Sequence, residues 1–206
     1  MVYELRPYNT VNDWTDEDDR GVIVWETDEI TDASNFRICG KLVSYLGFSD
    51  TEFSVPDGIT SIGFSVFEKG EWEAFGSPIE TIHIPASVRT IEEGAFVGTD
   101  ITDVDLHPDS PCGMVKDGGL YTKDGKTLLW ILAYNDDGEY IVPDGVTRIG
   151  LASFRYDMTF VLPSSVTEIG YDEEYSYLFD EVTIKAPEGS YGIQFAKKHG
   201  IQYEEI

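Results

Sequence analysis

The stretch VPDGITSIG, Val55 to Gly63, returns 87 residues later as VPDGVTRIG, Val142 to Gly150. Related steps stand around both copies. Phe53-Ser-Val-Pro56, Ile82-His-Ile-Pro85, Tyr140-Ile-Val-Pro143 and Phe160-Val-Leu-Pro163 each place apolar residues two apart and then a proline. A corner follows in each (Asp57-Gly58, Ala86-Ser87, Asp144-Gly145, Ser164-Ser165), and then a second short step: Ile59 to Ile62, Val88 to Ile91, Val146 to Ile149, Val166 to Ile169. Gly63, Gly150 and Gly170 close three of these steps, and Phe67, Phe96 and Phe154 stand in register beyond.

Physical chemistry reads each unit in order. Alternation with a period of two is a short strand with one buried face. Proline ends it because it has no N–H for a ladder. Asp-Gly or Ser-Ser turns the corner. The second step is another short extended piece, glycine lets the backbone bend, and phenylalanine fills the core. Two weaker copies, Val104-Asp-Leu106 before Pro108 and Val182-Thr-Ile184 before Pro187, extend the series, so the prolines fall 29, 23, 35, 20 and 24 residues apart. A period in the twenties with insertions predicts a solenoid, in which stacked units bury what a single unit cannot.

The phrase resembles that of the BspA-type leucine-rich repeat family, roughly I-P-x-x-V-T-x-I-G-x-x-A-F. IPASVRTIEEGAF, Ile84 to Phe96, matches it with Glu92 in place of glycine, and VPDGVTRIGLASF, Val142 to Phe154, with Ser153 in place of alanine. Residues 36 to 56 resemble the hairpin that opens such arrays, Val115 to Trp130 the same hairpin inserted mid-array, and the last eighteen residues their closing helix and strand. The resemblance covers about 36–206. It implies a mainly β, right-handed leucine-rich-repeat solenoid with short helical turns and a C-terminal capping helix. It also implies relatives that are mostly binding modules, many on bacterial surfaces.

The expected organisation is one structural unit: an N-terminal cap of unknown type at 1–35, then the solenoid at 36–206 with an inserted hairpin at about 113–140 and a C-terminal cap at 188–206. The first part holds an acidic run and a strand at Val22 to Trp25. In the last part Ser190 is the expected helix cap, Lys197, Lys198 and His199 suit the negative end of the helix dipole, and Gly200 stops it.

Composition narrows function. The 206 residues carry 39 acids against 14 bases, a formal charge of −25. The acids run the length of the chain, and 13% aromatic residues argue against disorder. Such a field repels nucleic acid and anionic membrane and favours basic partners. Cys39 and Cys112 make no disulfide framework and are expected as reduced, packed thiols. The longest apolar run, Leu128 to Ala133, is too short to span a bilayer, and MVYELRPYNT lacks the pattern of a signal peptide, so the chain as given is expected to be soluble and cytoplasmic. Members of the resembling family are often secreted or surface-attached.

No hydrolase, zincin, nucleotide or dinucleotide motif is present. His83, His107 and His199 are isolated in sequence, and His83 is expected as an ordinary outward-facing surface residue. Asp16-x-Asp18-x-Arg20-Gly21 echoes a calcium loop, but arginine is wrong at its fifth position, so a solvated acidic loop is expected. NDDGE, Asn135 to Glu139, is expected as a hairpin turn. Neither enzyme activity, cofactor nor metal is expected.

Alternation identifies the outward strand positions as Glu52, Ser54, Thr81, His83, Asp103, Asp105, Glu139, Ile141, Thr159, Val161, Glu181 and Thr183. The acidic, tyrosine-rich GYDEEYSYLFDE, Gly170 to Glu181, replaces the usual aromatic plug. Its Tyr171, Asp172, Glu173, Glu174, Tyr175 and Tyr177 join the candidate partner-binding set, while Tyr175, Tyr177, Leu178 and Phe179 serve equally as a longer core plug. The leading expectation is a non-enzymatic protein-interaction module whose partner carries a basic patch. Two alternatives are an acidic nucleic-acid mimic that inhibits a nucleic-acid-binding protein, phage or defence related, and a bacterial surface adhesin, for which Trp72, Trp130 and the tyrosines are the aromatic candidates, most of them expected in the core.

Overall fold

The computed structural model describes residues 4–7, 22–27, 40–45, 51–67, 79–151, 153 and 157–206. The expectations placed on Asp16, Asp18 and Arg20, on Cys39, Trp72 and Phe154, and on most of 1–35 lie outside them. The chain forms two compact units, residues 1–112 and 113–206, dividing where the repeat series predicts the inserted hairpin.

In the first unit the strands are β1 (Glu4–Pro7), β2 (Val22–Thr27), β3 (Gly40–Tyr45), β4 (Glu52–Ser54), β5 (Ile59–Ile62), β6 (Thr81–Ile84), β7 (Thr90–Ile91) and β8 (Asp103–Leu106). They make two sheets, ordered β1-β2-β3-β5-β7 and β4-β6-β8. Successive coils give one strand to each sheet, β4 and β5 from one coil and β6 and β7 from the next. The pairings within β3-β5-β7 and β4-β6-β8 are parallel, as stacked coils require. Phe53, Ile82 and Val104 occupy one rung and are all buried. Inside the coils Phe67 meets Phe53 edge-on at 5.6 Å and stacks on Phe96 at 6.0 Å, so the phenylalanine of the phrase is the plug of these two coils. Each such buried ring contributes about 1.5–3 kcal/mol relative to exposure.

Stacking explains why the phrase repeats. Gly58 and Gly145 sit at φ 97° and 90°, open to glycine and strained for other residues. The amide of Gly58 donates to Ser87 Oγ of the next corner at 3.1 Å, and Gly145 donates to Ser165 Oγ at the same distance. The Asp-Gly corner therefore supplies a donor to the serine-bearing corner of its neighbour. The amides of Gly63, Gly150 and Gly170 donate to the preceding coil at Leu42, Leu128 and Ile149 carbonyls, 2.8–2.9 Å away. A Cβ at Gly63 would lie 2.9 Å from the Leu42 oxygen, so close backbone approach selects glycine there. Glu92 takes the same place in its coil, its amide bonded to Ile62 O at 2.9 Å. Its carboxylate accepts the Phe64 amide at 3.0 Å and pairs with Lys41 at 2.7 Å, linking two neighbouring coils.

The second unit holds β9 (Met114–Lys116), β10 (Gly119–Tyr121), β11 (Thr127–Ile131), β12 (Glu139–Ile141), β13 (Arg148–Ile149), β14 (Thr159–Val161), β15 (Glu168–Ile169), β16 (Thr183–Ala186), helix α1 (Tyr191–His199) and β17 (Gln202–Glu205). Its sheets are ordered β15-β13-β11-β10-β9 and β12-β14-β16-β17. β9, β10 and β11 form an antiparallel meander, and β11 then pairs parallel with β13, which joins the meander to the coils. Beneath it the hydroxyls of Tyr121 and Tyr140 hydrogen-bond to each other in the core. Burial, the largest influence on each, pushes both phenols up and keeps them neutral.

One turn differs from expectation. Asn135 to Glu139 does not close a hairpin, because β11 and β12 belong to different sheets. It is a corner: Asn135 Oδ1 accepts the amides of Asp137 at 3.0 Å and Glu139 at 2.8 Å, sending the chain from one sheet to the other. The local turn chemistry was legible, but its partner strands were not. The C-terminal cap follows its sequence signals. Ser190 accepts the Ile193 amide, Gly200 stops the helix at φ 72°, and Ile193, Phe195 and Ala196 face the core.

Candidate protein-interaction face

Alternation on β4, β6 and β8 sets the chemistry of one face. With Phe53, Ile82 and Val104 inward, Glu52, Ser54, Asp103 and Asp105 are exposed, and Thr81 and His83 are half-buried among them. The rungs run Glu52–Thr81–Asp103 and Ser54–His83–Asp105. Glu80 is exposed just before β6 and Asp57 just past β4. No lysine or arginine stands on these three strands.

His83 is not the isolated surface residue its sequence context suggests. Its Nδ1 lies 2.9 Å from Asp105 Oδ2 and its Nε2 lies 2.6 Å from Glu52 Oε1, so one imidazole spans three strands. The two carboxylates come from positions 31 residues before and 22 residues after it, a juxtaposition only coil stacking produces. Hydrogen bonding to Asp105, then to Glu52, holds its pKa above the ordinary histidine value against a smaller opposing effect of burial. The ring nitrogens point to opposite neighbours, which makes a clamp rather than a chelating set.

The second unit carries a corresponding row with different chemistry. Glu139, Thr159, Thr183 and Gln202 share one rung, and Ile141, Val161, Lys185 and Glu204 the next. Ile141 is 61% exposed, as alternation predicts, while Val161 is half-buried. Lys185, which stands one outward position beyond Thr183, pairs with Glu139 at 2.8 Å and with Glu204 at 3.3 Å. The ammonium lowers the Glu139 pKa, and the two carboxylates, Glu139 first, raise that of Lys185. Extending the period-two count by one step would have found it.

The tyrosine-rich loop divides between core and surface. Leu178 and Phe179, on a 3-10 turn at Ser176–Phe179, are buried and supply the plug. Tyr171 packs against Phe179 at 5.7 Å and against Phe195 and His199 of α1 at 6.0 and 3.9 Å. Burial, more than neighbouring Lys198, pushes the His199 pKa down. Asp172, Glu173, Glu174 and Tyr177 are exposed and Tyr175 is half-buried. Asp172 Oδ1 accepts the Glu174 amide at 2.9 Å, so that carboxylate shapes its own turn. The candidate residues thus form three sets: the β4-β6-β8 face, Glu139 with Ile141 on the second unit's sheet, and this loop. Cys112 is buried, its sulfur 3.1 Å from Ser110 Oγ.

Coils that repeat one phrase and stack through parallel ladders define a repeat protein of the β-solenoid kind. Among solved structures, the chain is similar to a leucine-rich repeat protein from Eubacterium ventriosum ATCC 27560, at 20% identity and a TM-score of 0.48, over 66% of this chain and 42% of that one. The chain therefore spans less than half the length of that protein. It is also similar to the pneumococcal vaccine antigen PcpA, at 11% identity and a TM-score of 0.28, over 79% of this chain and 70% of that one. No family model and no curated protein matches the chain. Among the described residues no helix is long and apolar enough to cross a membrane.

Proposed function

We propose that the chain is a non-enzymatic protein-interaction module whose first unit presents the acidic β4-β6-β8 face to a basic patch on a protein partner. The observation that carries this is the registered row of exposed Glu52, Asp103 and Asp105 above a fully apolar rung, on strands without lysine or arginine. Solenoids present such continuous sheet faces to partners, and a face of one sign steers and orients a partner of the other. The second unit's row offers less, because its Lys185 already pairs with both Glu139 and Glu204 and offsets one of their two charges.

The test is capture of partners from lysate by three folded proteins: wild type, Asp103→Lys with Asp105→Lys, and Asp136→Lys with Asp137→Lys at the corner turn. Both double variants change net charge equally. Loss of the main partner in the first alone supports the face. Equal retention by both variants places the partner elsewhere, and equal loss from both reduces the attraction to net charge. A nucleic-acid-binding protein as the main catch would turn the assignment toward nucleic-acid mimicry.

A further inference from the structure

We infer that the acidic face is a proton-gated docking groove for arginine-bearing peptide, with His83 as the gate; this rests on the face being the partner surface proposed above. At the ends of β4, β6 and β8 an open groove is lined by Pro56, Asp57, Pro85, His107 and Pro108 together with His83 and Asp105 of the strands. The prolines give an apolar wall against which an aliphatic stem packs, and the carboxylates give acceptors for its head. Arginine suits both, because its stem is apolar and its planar fork pairs bidentately with carboxylates.

In the free protein His83 occupies one of the groove's two carboxylates, Asp105, and with its other nitrogen holds Glu52 on the strand face. When protonated, its two N–H groups donate to Asp105 and Glu52, and the cation neutralises part of the face. When it loses the proton, one nitrogen becomes an acceptor facing a carboxylate, and that carboxylate is released to an incoming guanidinium. Every charged group on the two neighbouring strands is acidic: Glu52 on β4 and Asp105 on β8 touch the ring, and Asp103 on β8 stands one rung away. Glu80 precedes its own strand, and Asp57 and His107 stand in the groove beyond. Among the described residues of these strands no lysine or arginine substitutes for the imidazolium. Lys185 shows the contrast: it holds a similar place between Glu139 and Glu204, but an ammonium keeps its charge across the physiological range, so that row stays closed.

The experiment uses the whole chain and a tetra-arginine peptide at about 0.15 M salt, where exposed long-range attraction is screened. Affinity is measured at about pH 6 and about pH 8.5, on either side of ordinary histidine titration. The proposal expects wild type to bind at least about fivefold more tightly at the higher pH. His83→Gln is expected to lose most of that dependence, and His199→Gln, on α1 and outside the groove, to keep it. By reciprocity, saturating peptide lowers the His83 titration midpoint followed by the NMR shifts of its ring. Glu52→Gln with Asp105→Asn opens the clamp from the other side and is expected to lower that midpoint without peptide. Equal pH dependence in wild type and His83→Gln, a flat wild-type profile, or no binding at either pH overturns the gate. Failure of the proposed function reads out separately, as partner capture that survives Asp103→Lys with Asp105→Lys.

Discussion

Ser165 Oγ accepts the amide of Gly145 at 3.1 Å and donates to the carbonyl of Val146 at 2.8 Å, so one hydroxyl ties two successive corners of the array. Ser87 accepts the Gly58 amide in the same way, 29 residues on. Corner-to-corner bonds of this kind hold the repeat together at its turns, where the ladders stop.

Ser165→Ala removes both bonds and leaves the Gly145 amide and the Val146 carbonyl without that partner. The expected loss is about 1–2 kcal/mol. Urea unfolding measures it, with Ser164→Ala, exposed at the same corner, expected to change stability by less than about 0.5 kcal/mol. Equal effects of the two substitutions would show that the bond contributes nothing.

Gly170→Ala tests backbone approach without a conformational complication, since Gly170 is not among the glycines with positive φ. A Cβ there would meet the Leu151 backbone, with Leu151 Cα 2.7 Å away. Overpacking against main chain is expected to cost about 1–3 kcal/mol. Gly189→Ala faces open space at φ 71° and pays only the left-handed strain, about 1–2 kcal/mol. Chain stability measured on both variants separates the two causes, and an unchanged Gly170→Ala protein would mean that the coils move apart freely.

Ser153 fills the place that alanine takes in the repeat phrase, and its Oγ is buried with no hydrogen-bond partner among the described residues. Ser153→Ala removes an unsatisfied hydroxyl at almost constant volume. It is expected to stabilise the chain by about 1 kcal/mol, read as a higher denaturation midpoint. A lower midpoint would reveal that the hydroxyl is satisfied in solution.

The His83 clamp predicts a signed pH dependence of stability. Its folded pKa is raised, so its contribution is complete below the unfolded histidine value and disappears as pH rises through the folded one. The stability gap between wild type and His83→Gln is therefore largest near about pH 6 and narrows toward about pH 9. A gap that stays constant over that range would sink the proton-dependent clamp.

The sequence by itself determined the coil. Alternation about Phe53, Ile82, Tyr140 and Phe160, with a proline after each step, specified the strands and their inward faces. Ser190 and Gly200 specified the ends of the helix. These signals are local, set by side-chain period, the missing N–H of proline and glycine's access to left-handed backbone. Tertiary structure decided what coils bring to one another. His83 meets Glu52 and Asp105, and Lys185 meets Glu139 and Glu204, only after stacking sets the register between residues 19 to 46 positions apart along the chain. The NDDGE turn was readable as a turn, but which strands it joined was not, because a turn fixes the chain's direction and not the sheet that receives it. The repeat phrase encodes each coil's own geometry, while the charge constellations arise from the parallel register between coils, which no single phrase records.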